Sequence, residues 1–314
     1  MIYGRSEERP SRRTILAAIA AAGAAGGGLW PRAALAEATT TLGEATIRIL
    51  SDGSLTLLMN FALPEIAPED IAALLTPHGL ATDALRPDCN VTLAEIGGRT
   101  VLFDAGAGSL FQETAGKLPD SLASAGIDPA SITDIVFTHA HPDHIWGVID
   151  DFDELVFPEA TCHVAQAEWD FWRGESALDS MPEHRKTFVV GARNRFDVIE
   201  DRVSFFKPGD EVLPGIEAVD TVGHTPGHVS FMLHDGGDSL LVVGDAISHA
   251  VVSFERPDWH SGTDQDPETG AATRTALLDR LATDRSRLIG FHLPHPGVGR
   301  VERAGNAYRF VADA

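Results

Sequence analysis

The chain has 314 residues, 44% of them apolar and 22% charged, with 30 Gly, 18 Pro and two Cys. That composition excludes a disordered, collagen-like or disulfide-dense chain and leaves room for one large domain or two small ones. The formal net charge is −22, and because residues 1–36 hold five Arg and two Glu, the remainder carries −25; such a surface repels phosphate backbones and anionic membranes, so no nucleic-acid partner is expected.

At the N-terminus, Ser11-Arg12-Arg13-Thr14-Ile15-Leu16 precedes an Ala/Gly-rich run to Gly28, followed by Trp30, Pro31 and Ala34-Leu35-Ala36. A basic start, a short mildly apolar run and a small-x-small end describe a secretory signal, and the paired arginines resemble a twin-arginine export signal. A spanning helix needs about 20 strongly apolar residues, and this run is too short and too rich in Gly. The expectation is a signal peptide over 1–36, read by the twin-arginine export machinery and cleaved after Ala36. The mature chain, 37–314, would be a single domain, periplasmic or extracellular, with no stable membrane insertion. An amphipathic or membrane-anchoring N-terminal helix is the alternative. Cys89 and Cys162 lie in apolar-alternating stretches and read as buried free thiols; a bridge between them is the alternative in an oxidising compartment.

Ala45–Leu50 and Leu55–Asn60 alternate around Asp52-Gly53, which predicts a hairpin. Pro68 to Thr76 has Ile71, Leu74 and Leu75 at helical spacing. Val91–Ile96 and Thr100–Phe103 read as strands flanking Gly97-Gly98. Ser121–Ala125 reads as a short helix and Ile135–Thr138 as a buried strand. Further strands are Ala160–Val164, Val203–Phe206, Ile216–Thr221, Ser230–Leu233 and Leu240–Val243. A helix follows from about Pro267 to Leu281, and Ile289-Gly290-Phe291 reads as a last short strand. No linker or fixed-period repeat divides the chain. Strands dominate early with helices interspersed, so a layered α/β sandwich is expected rather than a doubly wound sheet.

Thr138-His139-Ala140-His141-Pro142-Asp143-His144 follows the strand Ile135–Thr138 directly. Imidazole and carboxylate suit zinc and other borderline divalent ions. On an extended loop His139 and His141 point the same way, while Asp143 and His144 point differently, so one segment can serve two neighbouring metals. Three more apolar strands end in a candidate ligand: His224 within Gly223-His224-Thr225-Pro226-Gly227-His228, Asp245 after Leu240–Gly244, and His292 after Leu288–Phe291. Sheet architectures place functional groups at strand ends.

With these residues in view, the sequence resembles the metallo-β-lactamase-fold hydrolases, from about Ala45 to the C-terminus. It looks most like the methyl parathion hydrolase and lactonase-like branch, with supporting stretches at Gln166–Trp172, Ser253–Trp259 and His292–Gly299. The resemblance implies a four-layer αβ/βα sandwich with mixed sheets and outer helices. It implies one metal on His139, His141 and His224, a second on Asp143, His144 and His292, and Asp245 bridging two divalent ions, most simply Zn2+. Asp104 matches an Asp that supports the site from behind the ligands. His228 matches a position read as structural, because Pro226-Gly227 turns it away. The implied chemistry is hydrolytic: the ions share and acidify a water, and Asp143 accepts a hydrogen bond from the nucleophile and carries a proton to the leaving group.

Several branches fit less well. True metallo-β-lactamases as a class lack the Asp seen here as Asp245, RNA-processing members conflict with the acidic charge, and the chain lacks room for the C-terminal extension of glyoxalase II types. Dioxygenase members use one iron and lack a full second site. The expected substrate is a small, uncharged, apolar lactone, carboxyl ester or organophosphate triester. β-Lactam hydrolysis, or a non-catalytic periplasmic metal- or ligand-binding protein, are the alternatives. Some lactonases use a Tyr shortly after the bridging Asp; here the stretch is Ala246-Ile247-Ser248-His249, and His249 either takes a polar role or is a histidine at the surface or behind the ligands. Trp146, Phe171, Trp172 and Trp259 are the candidate pocket walls, with Phe188 assigned to the core. Arg256–Asp266 reads as a lid or a plain surface loop. A homodimer stays open.

Overall fold

The computed structural model describes residues 37–313; the expected signal segment lies outside them. Strands β1 (Glu37–Leu42), β2 (Ala45–Ser54), β5 (Asp88–Ile96), β6 (Arg99–Phe103), β7 (Asp134–Val136), β8 (Thr161–Ala165) and β9 (Val203–Phe206) form one sheet in that order. The two-residue strands β3 (Leu57–Leu58) and β4 (Ala84–Leu85) pair separately. The second sheet runs β10 (Glu211–Leu213), β11 (Ile216–Asp220), β12 (Val229–Asp235), β13 (Asp238–Val242), β14 (Arg287–Ile289), β15 (Val298–Ala304) and β16 (Ala307–Ala312). Both sheets are mixed: β6 to β9 pair in parallel in the first, and only β13–β14 do so in the second.

Alternation along the strands builds the layers, because successive side chains point to opposite faces. Ala94, Val101 and Phe103 face inward and meet Phe231, Leu240 and Val242 of the other sheet; the Phe103 and Phe231 rings touch edge to face at 5.6 Å. Leu93 and Leu102 face outward against two helices, α1 (Leu118–Ala125) and α2 (Lys186–Ile199). Helix α2 presents Val189, Ala192, Phe196 and Ile199, an apolar stripe at helical spacing. On the far side, Leu241 and Leu288 pack against Leu277, Leu278 and Leu281 of α3 (Pro267–Asp284). Asp266 caps α3 by accepting the Thr269 N–H, with Pro267 at its first position. The result is the expected order helix, sheet, sheet, helix. Burying each such Leu or Phe contributes about 1.5–3 kcal/mol.

Three expectations need correction. Asp52-Gly53 is not a hairpin turn: β2 runs through it with a register shift, and the hairpin lies at Gly43-Glu44 between β1 and β2. Asp52 is fully buried and accepts the backbone N–H groups of Ala107, Gly116 and Leu118. Gly53 has φ +97°, and a Cβ there would lie 2.0 Å from the Thr114 carbonyl oxygen. An Asp-Gly pair that signals a turn in isolation serves here to anchor a neighbouring loop. Secondly, the strand before His292 is Arg287–Ile289, and β15 and β16 follow it. Thirdly, Leu55–Asn60 is not one strand: only Leu57–Leu58 pairs as such and Met59–Ala62 is helical; α2 and the helix Gln166–Arg173 were not expected as elements. Cys89 and Cys162 are free and buried, and burial pushes both thiols up to about 12. Among the described residues, no helix is long and apolar enough to cross a membrane.

Candidate metal centre

The ligand candidates sit at the C-terminal ends of β7, β11, β13 and β14, all buried to 6% exposure or less. They form two groups, His139–His141–His224 and Asp143–His144–Asp245–His292, with the donor atoms of each group within 4.8 Å of one another. His141 Nδ1 lies 2.8 Å from His224 Nε2. Asp143 Oδ2 lies 3.2 Å from His292 Nε2. Asp245 stands between the groups: Oδ2 is 3.2 Å from His224 Nε2 and 3.3 Å from His292 Nε2, and Oδ1 is 3.2 Å from His144 Nε2.

Each imidazole turns one nitrogen inward and gives the other to a fixed partner. His139 Nδ1 pairs with Thr138 Oγ1 at 3.0 Å. His144 Nδ1 donates to Asp104 Oδ2 at 2.8 Å, His224 Nδ1 to Asp264 Oδ1 at 3.0 Å, and His292 Nδ1 to the Asp88 carbonyl at 2.8 Å. His141 is reversed: Nδ1 faces in and Nε2 sits 3.3 Å from the Gln265 amide. Such partners fix the tautomer of a metal-binding histidine. Of the inward atoms, His139 Nε2 is buried with no hydrogen-bond partner, and His144 Nε2 and Asp245 Oδ1 face each other at 3.2 Å without forming an aligned hydrogen bond. Unpartnered buried lone pairs are costly unless a cation takes them. Five imidazoles and two carboxylates are a donor set that fits two borderline divalent ions.

The electrostatics divide the histidines: burial opposes the charged form of His144 and His292, but the carboxylates beside them, Asp245 and Asp143, outweigh it and raise both well above the ordinary histidine value, so a cation would have to displace protons there. Burial and the repulsion of neighbouring imidazoles hold His139 and His141 well below the ordinary histidine value, so both are neutral. Burial opposes ionisation of Asp143 and Asp245, but the adjacent histidines outweigh it and hold both carboxyls below the usual range. Neutral imidazole and ionised carboxylate are the forms that bind metal.

The metallo-β-lactamase superfamily model matches residues 85–292, from the start of the site's first supporting strands to His292. The chain belongs to the metallo-β-lactamase superfamily. Among curated proteins it is 30% identical over 222 residues to metallo-beta-lactamase domain-containing protein 1 of Xenopus laevis, covering 68% of this chain and 76% of that protein. It is 25% identical over 151 residues to an N-acyl homoserine lactonase of a Bacillus species, spanning 52% of that protein and 48% of this chain. Among solved structures it resembles AidC, a dizinc quorum-quenching lactonase in complex with its N-hexanoyl-L-homoserine product (TM-score 0.83, 29% identity, 90% of this chain and 99% of that one). It also resembles the hydrolase AbOPH (TM-score 0.82, 27% identity, 88% of this chain and 97% of that one).

Within this metallo-β-lactamase-superfamily protein, the supports behind the ligands divide into those expected and those missed. Asp104 accepts from Thr138 N and Oγ1 as well as from His144, with φ +64°, a backbone strain that the surrounding bonds must sustain. His228 donates from Nδ1 to the Thr221 carbonyl and accepts the Asp245 N–H at Nε2, both at 3.0 Å; burial lowers its pKa to about 3. It therefore holds the backbone of the central carboxylate. Sequence reasoning missed Asp264, Gln265 and Glu168. Asp264 is buried between His224 and Arg274, whose Nη2 donates to it at 2.7 Å. The segment Arg256–Asp266 is thus tied to His224 through Asp264, while its Ser261 and Thr263 line the cavity. Glu168 accepts Ala140 N, Trp172 Nε1, Thr225 Oγ1 and Gly227 N, joining the two ligand loops. Gly227 permits this approach, since a Cβ there would lie 2.1 Å from Glu168 N. The available signal was Glu168 one helical turn before the buried Trp172. Asp104→Ala and Asp264→Ala are each expected to weaken metal retention about 10- to 100-fold, measured by chelator competition; wild-type retention would show that these carboxylates do not orient the ligands.

A cavity of ≈70 Å³ opens over His141, Asp143, His224, Asp245 and His292. Leu55, Leu57, Leu85, Phe111 and Phe188 form its apolar wall, and Arg185, Ser248, Ser261 and Thr263 its polar one. None of the four expected aromatics lines it. Trp146 sits behind Phe111 (rings 5.8 Å apart), its indole slotted against Gly191 and under Arg195. Trp172 is fully buried and tied to Glu168. Trp259 packs against the cluster around Met59 and Leu75. Phe171 lines a neighbouring groove of ≈740 Å³ that holds none of the histidine ligands. Phe188, assigned to the core, is instead a wall and meets the His141 ring at 5.8 Å. His249 does not reach this cavity. Its Nδ1 accepts Val251 N and Val252 N, and Ser248 takes the cavity position.

Proposed function

We propose that this protein is a dinuclear-metal hydrolase that opens small lactones and related carboxyl esters. One observation carries the reading: Asp245 contacts histidines of both ligand groups at the floor of a cavity with an apolar wall. The likeness to a dizinc lactonase over nearly the whole of its length supports it. When bound, the two ions polarise the scissile group and supply a nucleophile from water at neutral pH. Asp245 sets the spacing of the two ligand groups. Asp143, ionised and facing the cavity, accepts a hydrogen bond from the attacking water and so steers the proton that the water gives up towards the leaving oxygen. Phe111, Phe188, Leu55 and Leu57 keep bulk water from the acyl side.

The test is turnover by purified protein on an N-acyl homoserine lactone, an aryl ester, a dialkyl aryl phosphotriester and a β-lactam, with metal analysis of the same sample. About two metals per chain and the highest kcat/KM on the lactone are expected. Preference for the phosphotriester or the β-lactam would move the protein to another branch. Two metals with no turnover on any of the four would replace hydrolysis by ligand binding. We also propose export through the twin-arginine route, supported by Arg12-Arg13 and the Ala34-Leu35-Ala36 end. Mass spectrometry of periplasmic material should find a mature chain starting at Glu37, and replacing Arg12 and Arg13 together by Lys should retain the full-length chain in the cytoplasm. Export of that double variant would overturn the route.

A further inference from the structure

We propose that Arg185 recognises a carboxylate carried by the substrate at a distance from the bond that is cleaved. The inference rests on the cavity being the hydrolytic site, and it adds a substrate feature that the apolar walls do not imply. Arg185 ends the short turn Glu183–Arg185 just before α2 and is 5% exposed. It lines both the cavity over the metal ligands and the adjoining groove of ≈740 Å³. Its Nη2 donates to the Gly262 carbonyl, and its guanidinium lies over the Phe61 ring at 5.1 Å. Its Nε is buried with no acceptor. Among the described residues no ion pair is formed by Arg185, and Asp264, whose charge favours its guanidinium, is already paired with Arg274 at 2.7 Å.

Arg274 shows how this fold closes a buried guanidinium that is purely structural. Its Nη2 meets Asp264 Oδ2 at 2.7 Å, and its Nη1 donates to the carbonyls of Pro257 and Trp259 at 3.1 Å each. Arg185 has five donors in a planar fork and gives one to a neutral carbonyl. A buried cation without a counter-ion is destabilising, and the arrangement persists where an incoming anion completes it. A single guanidinium that no carboxylate contacts matches a monoanion, and its fork matches a carboxylate bidentately. Residues 37–314 carry −25 overall and the groove itself holds Asp264 and Asp266, so the surface does not gather anions in general; Arg185 marks one point beside the site where an anion finds a contacting cation. The substrate class is therefore an ester or lactone bearing a second, free carboxylate on the part that extends past Phe61 and Arg185 towards the groove.

Binding rather than turnover tests this. Isothermal titration of the two-metal protein compares straight-chain dicarboxylates from succinate to pimelate with monocarboxylates of the same carbon number. One carboxylate of either probe can engage the metals, so the difference reports the second. At one chain length the dicarboxylate is expected to bind about tenfold tighter or more. Arg185→Met should abolish that gap, and Arg185→Lys should keep part of it. Absence of a gap at every length in the wild type overturns the proposal, as does a gap that Arg185→Met leaves unchanged. Should Arg185→Met fail to fold, a gap undiminished in Arg185→Lys overturns it equally. Lactone turnover without the gap would sink this inference alone. The gap without turnover of any ester would sink the hydrolytic reading and leave the carboxylate site standing.

Discussion

Asp245→Ala is expected to lose metal from both ligand groups and to lower kcat/KM by about a thousandfold or more, which is roughly 4 kcal/mol of transition-state stabilisation. The reason is its position. His224 belongs to one group and His144 and His292 to the other, and Asp245 lies 3.2–3.3 Å from all three. Its removal leaves five buried imidazoles with one carboxylate, Asp143, among the ligands. Elemental analysis and steady-state kinetics on one preparation check the result. His224→Ala should reproduce the coupling in weaker form, since it removes a ligand from one group. An Asp245→Ala protein with full metal content and full activity would remove the bridging role.

Glu168→Ala is expected to lower the melting temperature by roughly 10 °C and to weaken metal retention. One carboxylate satisfies two backbone N–H groups, an indole N–H and a hydroxyl. Burial pushes its pKa up against those four donors, yet donors on every side require the ionised acceptor form. Each donor left unpaired costs about 1–3 kcal/mol, so the sum is about 4 kcal/mol or more in a protein whose total stability is of the order of 5–15 kcal/mol. Ala140 lies between His139 and His141, and Thr225 follows His224, so loosening Glu168 also loosens both ligand loops. Glu168→Gln keeps the shape but turns an NH2 towards a donor, and should show a smaller loss. A melting temperature within about 1 °C of wild type for Glu168→Ala would refute the clasp.

The strands facing both layers were legible because alternation is local: Leu93 and Ala94, or Leu241 and Val242, declare opposite faces by sequence neighbourhood alone. The Asp52-Gly53 turn was misread for the complementary reason. Its local signal is genuine, but three backbone N–H groups 55 to 66 residues away decide its use. The aromatic walls failed similarly. Trp146 follows the ligand segment in sequence, yet the slot beside Gly191 of α2 draws it behind Phe111.

By itself the sequence singled out the candidate ligands, the strand ends that carry them and the layered architecture, because metal ligands must be particular residue types and strand periodicity is read within a few residues. The tertiary structure alone decided what holds and surrounds those ligands: Asp264 behind His224, Gln265 behind His141, Glu168 across two loops, and Arg185 beside Phe188 on the cavity wall. Those pairings span 40, 124 and 57 residues for the first three. A polar residue's partner at such separation is set by the packing of sheets and helices, which no local pattern encodes.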